Sequence, residues 1–182
     1  MLLLAFNGGL AWAQTNAPAT SLSTTNAPEP QTDIYSEHGY FDGNTRQMIY
    51  QGNVIATDAK ATLHCGQLTV DLPPDGGHPT NIVALTNVVI VATDEKGQTN
   101  TVTADKAVYA YSVVNSVTNE TVTFTGGNPM PKVENAQVII TGEPLILNLA
   151  TKIYSGSNYR TVFKQPPGSG NGTNASPFNF LK

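Results

Sequence analysis

Three stretches of this chain share one pattern, and their spacing limits what it can fold into. They are Cys65-Gly66-Gln67-Leu68-Thr69-Val70-Asp71-Leu72, Ala104-Asp105-Lys106-Ala107-Val108-Tyr109-Ala110-Tyr111 and Gly142-Glu143-Pro144-Leu145-Ile146-Leu147-Asn148-Leu149. Each opens on a small residue followed by a polar residue or glycine, then places apolar side chains at alternate positions. In the middle copy Ala107, Tyr109 and Tyr111 carry that phase. A period of two marks a strand with one buried face. The copies start 39 and 38 residues apart. A nearly constant period points to one supersecondary unit used three times.

The segments between the copies read as strands and turns. Expected strands cover 34–41, 46–57, 62–72, 81–93, 100–111, 113–117, 120–125, 136–141, 145–149, 152–155 and 159–163. Turns fall at Asp42-Gly43-Asn44-Thr45, Asp58-Ala59-Lys60, Asp94-Glu95-Lys96-Gly97 and Thr118-Asn119, with a loop over residues 73–79. Each repeat then holds three or four short strands joined by tight turns. The expected fold is all-β, an antiparallel sheet that coils or folds over on itself. Gly52-Asn53-Val54, Thr86-Asn87-Val88 and Gly126-Gly127-Asn128 recur at the starts of the units. Glycine within a strand marks a bulge or a close backbone approach.

Composition narrows the function. Only 12% of residues are charged, about half the usual share. The nine Lys and Arg lie singly along a chain of net charge −4, which excludes a basic nucleic-acid face. One cysteine cannot form an internal disulfide. Residues 1–13 are mostly apolar and end in Ala11-Trp12-Ala13, a small-x-small signal-peptide cleavage pattern before Gln14. About ten apolar residues are too few to span a bilayer, which needs roughly 20. Residues 14–32 and 165–182 have linker and tail composition and are expected to be disordered, leaving 33–164 as one folded domain.

The order of short motifs resembles the OstA-like, or LptA, family, the periplasmic proteins of lipopolysaccharide transport. The residues that carry the resemblance are Tyr50-Gln51-Gly52-Asn53-Val54, Asn81-Ile82-Val83-Ala84-Leu85, Thr103-Ala104-Asp105-Lys106-Ala107-Val108-Tyr109 and Val122-Thr123-Phe124-Thr125-Gly126-Gly127-Asn128-Pro129. Cys65-Gly66 stands where an Ala-Asp pair is usual, and Pro144 interrupts the third copy. The resemblance implies a β-jellyroll slightly open along its length, whose interior takes the acyl chains of lipid A. It implies edge strands, here 34–41 and 159–163, that pair with neighbouring jellyrolls of an export machinery or with further copies of the chain. It also implies a periplasmic location, no enzymatic activity and no cofactor. The lining candidates are Val54, Ala56, Leu68, Val70, Leu72, Val88, Ile90, Ala107, Tyr109, Tyr111, Val122, Phe124, Leu145, Leu147 and Leu149. The inward face of 88–92 is left open by a run with no clear alternation.

Other chemistry finds little support. His38, His64 and His78 are far apart, and the adjacent His64 and Cys65 point to opposite faces of a regular strand. No Gly-x-Ser-x-Gly element or glycine-rich phosphate loop occurs. Asp58, Asp75, Asp94 and Glu95 read as turn residues rather than a paired acid and base. Two other classes compete with lipid transport. One is a structural or adhesive envelope module with a filled core. The other, ranked last, is a hydrolase on a β-scaffold.

Overall fold

The computed structural model describes residues 31–94 and 96–164. The signal peptide and tail readings, most of the 14–32 linker and the turn role of Glu95 lie outside them.

Twelve antiparallel strands form one sheet: β1 (Asp33–Tyr35), β2 (His38–Asp42), β3 (Gln47–Thr57), β4 (Ala61–Asp71), β5 (Asn81–Thr93), β6 (Thr99–Val114), β7 (Val117–Thr125), β8 (Lys132–Glu134), β9 (Val138–Thr141), β10 (Leu145–Asn148), β11 (Ile153–Gly156) and β12 (Arg160–Phe163). The main path runs β1-β3-β4-β5-β6-β7-β10-β11 and does not close. β2 also lies on β3, while β8, β9 and β12 continue from β6 as a side branch. The described residues contain no helix.

What folds this sheet over is a row of register shifts crossing its central strands. Gly52 and Asn53 of β3 oppose a single residue of β4, between Gln51↔Gln67 and Val54↔Cys65. Thr86 and Asn87 of β5 oppose only Asp105 of β6, between Leu85↔Lys106 and Val88↔Ala104. All four bulged residues have positive φ, at 79°, 44°, 68° and 53°. A β-branched residue such as Thr86 rarely adopts that conformation. Gly66 makes room for it: a Cβ there would sit 3.0 Å from the Thr86 Cβ. Bulges add bend and twist to a strand, and aligned bulges bend the whole sheet.

The row divides the sheet into two leaves. The first holds β2, 47–51, 67–71, 81–85, 106–114, β7, β10 and β11; the second holds β1, 54–57, 61–65, 88–93, 99–104, β8, β9 and β12. Buried residues of both leaves join one hydrophobic cluster. The three sequence copies occupy equivalent places, since 67–71, 106–114 and β10 lie in alternate positions of the first leaf. Each of the first two units is a pair of long bent strands rather than three or four short ones, because the bulges bend β4, β5 and β6 without ending them.

Two other expectations change. The strand expected over 34–41 is two strands, both on β3, parted where Glu37 stands beside the Gly52-Asn53 bulge. The turn expected at Thr118-Asn119 lies at Asn115-Ser116, where φ is 51° and 63°. Positive φ at both central positions is what a two-residue hairpin requires. Val113 and Val114 therefore belong to β6, and 117–125 is one strand.

Candidate functional site

The space between the leaves is where the candidate residues converge. Val54, Ala56, Val88 and Ile90 come from the second leaf; Leu68, Val70, Ala107, Tyr109, Val122, Phe124, Leu145 and Leu147 come from the first, with Leu149 just past β10. All thirteen are buried. Leu72 and Tyr111 are partly buried and pack against the same cluster. Cross-strand pairs hold the surface together: Ala107↔Phe124, Tyr109↔Val122, Leu145↔Phe124 and Leu147↔Val122. The open question over 88–92 is answered by burial: Val88, Ile90 and Ala92 face inward, in the same phase as Ile82 and Ala84, and Val91 faces out.

Sequence reasoning missed a comparable set. Ala61, Leu63, Ile82, Ala84, Ala92, Val102 and Val133 line the same interior, joined by Cys65, which its sequence context already makes a small core residue rather than a nucleophile. Those of 61–65 carry the same alternation, but in the opposite phase to Leu68 and Val70. A one-residue kink at Gly66 reverses the inward side.

The interior is packed at its middle and hollow at both ends. Phe124 and Leu145 have 0% exposure, and Leu68, Val54 and Val88 are nearly as enclosed. At the β10–β11 end a cavity of about 110 Å³ lies between Ala92, Asn100 and Val102 of the second leaf and Leu147, Leu149, Lys152 and Tyr154 of the first. At the opposite end about 200 Å³ lies between Ile34 and Met48, Tyr50, Val70, Leu72, Gly77 and Pro79.

Two comparisons bear on this arrangement. Residues 33–153 match the family described as LptA/(LptD N-terminal domain) LPS transport protein. The chain belongs to this family. No curated protein matches it in sequence. Among solved structures it is similar to LptH, the LptA-homologous periplasmic component of the lipopolysaccharide transport device from Pseudomonas aeruginosa. The TM-score is 0.61 at 13% identity, covering 76% of this chain and 97% of LptH. At that identity the likeness establishes the fold, an open LptA-like jellyroll.

Within this family member, the polar groups behave as the residue pattern predicts. His64 faces out and Cys65 in. Burial pushes the Cys65 thiol up to about 11, against weaker opposing hydrogen bonds from the Gln67 and Leu85 backbone. Burial, then the Glu120 and Tyr111 charges, pushes the Tyr109 hydroxyl up to about 12, so it stays a neutral phenol. Asp58 accepts N–H bonds from Lys60 and Ala61 at 2.6 and 2.7 Å, and Asp94 accepts from Lys96 and Gln98 at 2.9 and 2.8 Å. Both are turn residues, as their context implies. No helix among the described residues is long and apolar enough to cross a membrane.

The outer strands are edges. Among the described strands, β1 and β2 pair with β3 alone, β11 with β10 alone, and β12 with β9 alone. The expected edges at 34–41 and 159–163 are thus both present, and 153–156 is a third. Large apolar side chains crowd them: Tyr35, Tyr40 and Phe41 at one end, Ile153, Tyr159 and Phe163 at the other, all exposed.

Proposed function

We propose that this protein carries lipopolysaccharide through the periplasm. Acyl chains of lipid A lie between the leaves, and the jellyroll joins its neighbours end to end through β1–β2 and through β11 and β12. The observation that carries this reading is an apolar lining shared by two leaves of an unclosed sheet, hollow at both ends.

The energetics favour a greasy seat over a charged one. Each buried methylene is worth ~0.8 kcal/mol, so a chain of about a dozen offers up to ~10 kcal/mol. An exposed ion pair offers roughly 0–1 kcal/mol. A carrier of acyl chains therefore needs an apolar interior more than a basic patch. The cavities set a condition, however. An apolar cavity of about 150 Å³ holds one benzene, and the β10–β11 cavity measures about 110 Å³. A whole acyl chain enters only if the leaves part and the packed middle yields.

Edge strands with unpaired backbone on one side add readily to another sheet. This supports head-to-tail assembly with other jellyrolls or with further copies.

A photocrosslinking residue at Tyr109 or Phe124 tests the reading: lipopolysaccharide should be trapped. Crosslinks confined to the protein itself would overturn it. They would support instead a non-enzymatic structural or adhesive envelope module, which the packed middle favours.

A further inference from the structure

The cavity at the β10–β11 end differs from the rest of the interior in its polar lining. Its floor is apolar, formed by Val102, Leu147 and Leu149, while Lys152, Asn100 and Tyr154 also line it. All three side chains carry hydrogen-bond donors. Lys152 forms no ion pair among the described residues. The Asn100 carbonyl oxygen already accepts from Asn135 Nδ2 at 3.1 Å, which leaves its amide N–H groups to donate. Burial, then Tyr159, pushes the Tyr154 hydroxyl up, so it remains a protonated phenol. No carboxylate lines the cavity.

The placement of Lys152 is itself specific. It closes the β10–β11 turn with φ 59°, a conformation in which glycine or asparagine is the ordinary choice. The turn is held by Asn148 Oδ1, which accepts from the Thr151 N–H at 2.9 Å and the Thr151 hydroxyl at 3.0 Å. Lys152 is exposed and stands at the rim of the cavity, on a turn that its neighbours fix.

We infer that this end of the interior seats the anionic head of an acyl amphiphile, with Lys152, Asn100 and Tyr154 on the head and the chain running inward over Val102, Leu147 and Leu149. The inference rests on the reading that acyl chains enter between the leaves, and adds where a charged group sits and which end it marks. The chemistry fits either a phosphoryl or a carboxylate head, since both accept several hydrogen bonds while carrying charge.

The full chain, labelled at leucine methyl groups, tests this by magnetic resonance. Dodecyl phosphate, dodecanoate and uncharged dodecanol are titrated below their micelle concentrations while Leu147 and Leu149 are followed. At low salt both anions should act at roughly 2–5-fold lower concentration than dodecanol, the range expected of a partly exposed ion pair. Lys152→Gln should abolish that preference and Lys152→Arg retain it. The order of the two anions assigns the head: tighter dodecyl phosphate marks a phosphoryl group, tighter dodecanoate a carboxylate. Equal titration by all three, or a preference that survives in Lys152→Gln, overturns the head-group seat and leaves the acyl reading standing. No response of any interior leucine, together with no lipopolysaccharide crosslink at Phe124, sinks both.

Discussion

Replacing Phe124 by alanine tests whether the middle of the interior is as solid as it looks. The ring has 0% exposure and sits between Ala107 on one neighbouring strand and Leu145 on the other. Ala107 is too small to fill the space left, and Leu145 is itself fully enclosed, so collapse around the gap is limited. Truncations of this kind cost about 3–5 kcal/mol, combining lost transfer energy with an unfilled cavity. A domain of this size has a total stability of about 5–15 kcal/mol. The loss is thus a large share of it, and the melting temperature should fall by roughly 10–20 °C. Urea unfolding followed by circular dichroism measures the change, with Val117→Ala as the control. Val117 is 66% exposed, and its truncation should shift stability by about 0.5 kcal/mol or less. A Phe124→Ala loss below about 1 kcal/mol would mean that the ring is not part of a packed middle. The account of an interior that must be opened would then be wrong.

Other outcomes follow from single features. A Cβ at position 156 would lie 2.2 Å from the Pro144 carbonyl oxygen, so Gly156→Ala should peel β11 from β10. Faster hydrogen exchange at the Ser155 and Ile153 amides, which face β10, would show it, and unchanged protection would refute it. Hydrogen bonds from Lys132 and then Lys164, each at 2.7 Å, hold the Glu134 carboxyl down at about 2, below its usual 4.5. A carboxylate lowered in the folded state stabilises fully above its ordinary value, and that contribution fades as pH falls toward 2. The Glu134 carboxyl should titrate near 2 in folded protein and near 4.5 if the bridge is absent. Cys65 is buried with its thiol raised to about 11, so iodoacetamide at pH 8 should label it only after unfolding. Light scattering should detect oligomers growing with concentration, and a strict monomer at high concentration would argue against end-to-end pairing.

How far the sequence could be read depended on where the strands kink. Ala107, Tyr109 and Tyr111 alternate cleanly, and the lining phase they define holds in the structure. In β3 and β5 a two-residue bulge leaves the phase unchanged, so Met48 and Tyr50 share an inward side with Val54 and Ala56. In β4 and β6 one residue stands at the kink, and the phase reverses. Leu63 and Cys65 give way to Leu68 and Val70, and Val102 gives way to Ala107. A reader following one alternation through Gly66 or Asp105 loses half the lining, which is why Ala61, Leu63 and Val102 were missed. The Asn115-Ser116 turn was hidden by a different cause. Neither residue is glycine, and the flanking valines looked like a strand centre rather than a hairpin tip. β8 is three residues long and carries two charges, too little for a pattern to emerge.

The row of bulges has a mechanical consequence. Because Gly52-Asn53, Gly66, Thr86-Asn87 and Asp105 line up, the ladder pairs resume in full on either side of them. The line acts as a crease: rotation about it swings two stiff panels and leaves their backbone pairing intact. Spreading the panels then costs apolar contact alone, which is the currency an incoming hydrocarbon chain returns.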